Sequence, residues 1–93
     1  MTPDTSKALL REFYSRYRSR IVSGLATYGE FNPATDTRCL SGEAIEEILD
    51  VGSYLEFLEA KRPDLTSGIQ KVRAKAIMMY GMLRRLEEVE LAK

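Results

Sequence analysis

The stretch Ser41-Gly42-Glu43-Ala44-Ile45-Glu46-Glu47-Ile48-Leu49-Asp50-Val51-Gly52-Ser53-Tyr54-Leu55 decides the fold class of this 93-residue chain. Ile45, Ile48, Leu49, Gly52 and Leu55 recur at three and four residues, the period of a helix with one buried side. Leu40 before Ser41 is placed to pack on Ile45 as a hydrophobic staple, and Ser41 is a favourable N-cap, so a helix is predicted from 41. Pro63 disfavours helical geometry at the residue before it and ends this helix at 62.

The same periodicity extends outward on both sides. Thr2-Pro3 reads as an N-cap followed by a first-turn proline. Leu10, Phe13, Tyr14, Tyr17, Ile21, Leu25 and Tyr28 then form one apolar stripe of a helix over 3–28, closed by Gly29. Residues 29–38 have turn chemistry and no period. Ser67 with Gln70 matches a capping box and starts a third helix over 67–91, with Ile69, Val72, Ala76, Met79, Tyr80, Leu83 and Leu86 as its main stripe. Met78, Met82 and Val89 lie on its opposite side. The sequence therefore predicts an all-α, three-helix unit forming a single domain over 1–93. With a second apolar side to cover, it is expected to be a homo-oligomer that completes a four-helix-type bundle.

The chain is 44% hydrophobic and 30% charged, with a formal net charge of zero. That balance argues against the broad basic surface that non-specific nucleic-acid binding needs. The charges are nevertheless segregated. Residues 1–29 carry five bases against two acids, residues 30–64 nine acids against three bases, and residues 65–93 six bases against three acids. Helix 3–28 interleaves Tyr14, Arg16, Tyr17, Arg18 and Arg20, a pattern found in RNA-binding segments, but its tyrosines fall largely on the apolar stripe. Cys39 is the only cysteine and histidine is absent, so neither an internal disulfide nor a thiolate zinc site can form from this sequence. The N-terminus lacks the apolar core of a signal peptide and no run is long enough to span a bilayer, so a cytoplasmic protein with no membrane partner is expected.

Glu43, Glu46, Glu47 and Asp50 occupy one sector of about 100° on the central helix, at roughly 100° per residue. Like charges at these spacings cost ~0.2–0.5 kcal/mol per pair, so something should compensate. The helix dipole does so for Glu43, in the first turn, and does so poorly for Asp50. Pairing with Arg11, Arg16, Arg18 or Arg20 is a second structural compensation. A divalent cation is the functional one, since Mg²⁺ and Mn²⁺ take carboxylate oxygens presented to a common point. Tyr54 and Phe57 continue the same face, as suits stacking of a base beside a metal-bound phosphate.

Glu43-Ala-Ile-Glu46-Glu47-Ile-Leu-Asp50-Val-Gly-Ser-Tyr54-Leu resembles the metal-binding helix of the MazG-like, all-α nucleoside triphosphate pyrophosphohydrolases. In these, an E-x-x-D motif, matched by Glu47 and Asp50, precedes an apolar run. Tyr17-Arg18 through Gly24, Tyr28-Gly29 and Arg38 are similar to short, often phage-encoded members. The resemblance implies a Mg²⁺- (or Mn²⁺-) dependent hydrolysis of a nucleoside triphosphate to the monophosphate and pyrophosphate. It implies Glu46, Glu47 and Asp50 as metal ligands, with Glu43 and Glu46 as the pair from which a general base is drawn. Arg16, Arg20, Lys71 and Lys75 are candidates to hold phosphates, and Tyr54 to contact the base. The family sets its E-x-x-E on a neighbouring helix, whereas helix 3–28 offers only Glu12, so a reduced or inactive member is a variant of this reading. The alternative is a non-catalytic helical module, perhaps phage-encoded, that binds a host protein or assembles with itself through Met78, Met82 and Val89.

Overall fold

A computed structural model describes residues 3–92, and side chains over 5–92. Every regular element is helical: α1 spans Pro3–Tyr28, α2 Leu40–Lys61 and α3 Thr66–Leu91, with a 3₁₀ turn at Pro63–Leu65 before α3. The chain divides into two compact units, one ending at Asp36 and the other beginning at Thr37, where the sequence led us to expect one domain.

The first unit is α1 and the turn after it. The N-cap predicted at Thr2 lies outside the described residues. Gly29 ends the helix with φ +79°, the left-handed conformation only glycine adopts freely, and its N–H donates to Leu25 O at 3.0 Å. Asn32 then organises the loop: its Oδ1 accepts from Ala34 N at 2.9 Å and its carbonyl from Thr35 and Asp36 N at 3.1 and 3.0 Å. Phe13, Tyr14 and Tyr17 cluster on one side of α1, with the Phe13 and Tyr17 rings edge-on at 5.2 Å. The apolar stripe expected to be core is exposed instead, Phe13 by 64%, because a lone helix has nothing within its unit to bury it against.

The second unit is an antiparallel hairpin of α2 and α3. Pro63 acts as its sequence predicts. Lys61 is the last residue of α2, and Arg62 adopts φ −135° and ψ 74° while its N–H still donates to Leu58 O at 2.7 Å. Arg62 also grips Asp64 with both ends of its guanidinium, Nε to Oδ1 at 2.8 Å and Nη2 to Oδ2 at 2.6 Å. The capping box expected of Ser67 and Gln70 does not form. The 3₁₀ turn runs directly into α3, whose first residue is Thr66, and the Thr66 hydroxyl donates to Pro63 O at 2.8 Å.

Ile45 and Ile69 are the only described residues that are buried, one from each helix of the hairpin and at opposite ends of its seam. Ile48, Gly52, Leu55, Ala76, Tyr80 and Leu83 are half-buried around them, whereas Leu49, Val72, Met79 and Leu86 of the predicted core stripes are exposed. Two packed helices share one seam, so residues on the flanks of each stripe find no third element to cover them.

Candidate functional site

The acids of α2 stand where the helical period puts them. Glu43, Glu46, Glu47 and Asp50 are all exposed, and Tyr54 and Phe57 continue their face, 71% and 65% exposed. Within the hairpin, no side-chain hydrogen bond or ion pair joins any of the four acids to another described residue, while the Glu43 N–H donates to Cys39 O at 3.0 Å in the first turn. Nor do three acids or cysteines converge closely enough among the described residues to hold a metal ion. Side chains pointing outward from one helix diverge, so the described residues of the hairpin do not by themselves gather the donors that Mg²⁺ or Mn²⁺ takes.

The candidate cations are divided between the two units. Arg16 lies on α1 with its guanidinium 3.7 Å from Glu12, and Arg20 is exposed on the same helix. Lys71 and Lys75 are exposed on α3 and pair with none of the acids of α2. The one ion pair between the hairpin's helices is Arg73 Nη2 with Glu59 Oε1, at 3.2 Å, and neither residue was a candidate.

The densest polar constellation is at the open end of the hairpin. The Glu90 carboxylate, from the last turn of α3, accepts from Leu40 N at 3.0 Å, from Ser41 N at 2.9 Å and from the Ser41 hydroxyl, and Cys39 Sγ lies 3.5 Å away. It thereby caps α2. Cys39 occupies the N-cap position but its side chain does not cap the helix, bonding instead to Glu90, and Ser41, the predicted cap, sits inside the helix with its hydroxyl turned to Glu90. These donors, the Ser41 hydroxyl foremost, hold the Glu90 carboxyl down at about 2. Gly42 makes the approach close. A Cβ there would lie 3.3 Å from Cys39 Sγ and 3.3 Å from Glu87 Oε2.

A sequence signal for Glu90 does exist. Glu87, Glu88 and Glu90 crowd the last turns of α3, the end of a helix that the macrodipole makes unfavourable for acids, and such a placement calls for a tertiary partner.

A shallow apolar groove of about 250 Å³ opens between the two helices, lined by Ile48, Leu49, Gly52, Ala76, Ile77 and Tyr80 with Arg73 at its edge. A Cβ on Gly52 would meet nothing within 4 Å. Along the described residues, no helix is long and apolar enough to cross a membrane. Comparison with protein-family models, with curated proteins and with solved structures gave no match in any of the three.

Proposed function

We propose that this chain is a self-assembling helical module, the subunit of a bundle that is completed only when chains associate. The observation that carries this reading is the burial pattern of the hairpin: among the described residues only Ile45 and Ile69 are buried, while Leu49, Val72, Ile77, Met79, Met82 and Leu86 are exposed. Two seam residues are too few to offset the ordering of two helices of 22 and 26 residues, so association supplies the missing burial. Sedimentation equilibrium across a wide concentration range tests it. A mass of two or more chains is expected, and a monomer at every concentration overturns the proposal.

A second reading is favoured by the exposed, unpaired acids of α2 beside Tyr54 and Phe57. In it, the assembled module is a MazG-like nucleoside triphosphate pyrophosphohydrolase, its metal-ligand set drawn from more than one chain. Incubation with each NTP and dNTP, with Mg²⁺ or Mn²⁺, and assay of released pyrophosphate tests this directly. Turnover abolished by Glu47→Gln and by Asp50→Asn is the expected result. No turnover with any nucleotide, together with no metal-dependent thermal shift, leaves the non-catalytic module.

A further inference from the structure

The apolar stripe of α1 is bordered by positive charge along both of its edges. At ~100° per residue, the stripe from Leu10 to Tyr28 covers an arc of about 120°. Lys7, Arg11 and Arg18 lie along one edge of that arc, and Arg16 and Arg20 along the other. Glu12, the only acid over 5–28, stands on the opposite side of the helix with Ser15, Ser19 and Ser23. All five bases are exposed, and so is the stripe apart from half-buried Tyr17.

We propose that α1 lies flat on the surface of an anionic lipid bilayer, its stripe in the boundary between headgroups and acyl chains and its bases among the lipid phosphates. The sequence led us to expect no membrane partner, because no run of it is long enough to span a bilayer. Lying in the interface makes no such demand. It takes a helix with one apolar side, basic edges and a polar back, and the 26 residues of α1 have all three. The inference concerns α1 alone and does not rest on assembly of the hairpin.

Charge selects this occupant. A second α1 laid on the stripe brings basic edge against basic edge whichever way it runs, because both edges carry the same sign, and like charges juxtaposed in an interface are disfavoured. A nucleic acid offers phosphates and base faces but leaves the aliphatic side chains of Leu10, Ile21 and Leu25 without an apolar cover. An anionic bilayer supplies both chemistries at once, with phosphates on either side of an embedded helix and hydrocarbon beneath it. The stems of Arg and Lys lie along apolar surface while their charged heads rise to the phosphates. Tyr14, Tyr17 and Tyr28 suit the same depth, since each joins an apolar ring to a polar tip.

The test is flotation of the full chain with vesicles, phosphatidylcholine alone against equal parts of phosphatidylcholine and phosphatidylglycerol. Binding to the anionic vesicles, weakened by added salt, is the expected result. Arg11→Gln and Arg18→Gln should each weaken it roughly fivefold, whereas Arg11→Lys and Arg18→Lys keep it. Ile21→Ser leaves every charge in place and should still weaken binding about tenfold. Helicity of each variant is checked by circular dichroism. No flotation with the anionic vesicles, or equal flotation with phosphatidylcholine alone, overturns the proposal. Binding that Ile21→Ser leaves unchanged overturns it as well, since the stripe then stays out of the bilayer. Binding of a single-stranded RNA without flotation overturns it in favour of nucleic acid.

Discussion

The two glycines of α2 stand in opposite surroundings. At Gly42, near the open end of the hairpin, a thiol and a carboxylate press so closely that even a methyl group would touch Cys39 and Glu87. Ten residues further on, Gly52 faces an open groove with nothing within 4 Å of an added Cβ. The difference teaches where this hairpin is specified and where it is unfinished. Its open end is held by directional bonds to Glu90 and by buried Ile45 close by, and its turn end by buried Ile69, whereas the middle carries half-buried and exposed apolar residues beside the groove. A helix held in this way has its direction and register determined at one end while apolar residues along the rest of it stay exposed.

The sharpest way to break the comparison is to empty the seam between the helices. Ile45→Ala deletes one of the two buried residues of the seam, the one nearer the open end, and is expected to cost about 2 kcal/mol or more, read as a fall in Tm or in urea midpoint. Gly42→Ala attacks the tight end. The gain in helix propensity, ~1 kcal/mol, is outweighed by displacing Cys39 and Glu87, and a net loss of roughly 1 kcal/mol is expected in the same melts. If Gly42→Ala proved stabilising, the open end would not be close-packed.

Glu90→Gln tests the clasp through pH. The folded carboxyl is held at about 2, below its ordinary value of 4.5, so its stabilising effect is present above pH 4.5 and is lost as pH falls toward 2. The wild type should therefore melt above the variant at pH 6, and the gap should close between about pH 5 and pH 2. A gap that is constant over that range would mean that the carboxylate charge contributes nothing. Gly52→Ala has the smallest effect and the opposite sign. It adds helix propensity at an open site and should stabilise by roughly 0.5–1 kcal/mol. A loss there would show that an assembled partner's backbone passes close to Gly52.

Much of the secondary structure was legible because its causes are local. The spacing of Leu10, Phe13 and Tyr17, the stop at Gly29 and the break before Pro63 act within a few residues, and the three helices lie within a residue or so of where period and punctuation put them. The acid face of α2 was legible for the same reason, since positions 43, 46, 47 and 50 share a sector by helical geometry alone. What became of those features was not. Whether Val72 or Phe13 is core depends on another element arriving, and whether four carboxylates form a site depends on a second set converging on them.

The sequence by itself determined three helices, their boundaries and the side of each that is apolar, because hydrogen bonds and side-chain period repeat every turn. Tertiary structure alone decided how α2 begins. The residue with the local chemistry of a cap, Ser41, gives up that role to Glu90, which is 49 positions away in the chain but within hydrogen-bond distance once the hairpin closes. A cap supplied across the fold leaves no local pattern, because its geometry exists only after the two helices have packed.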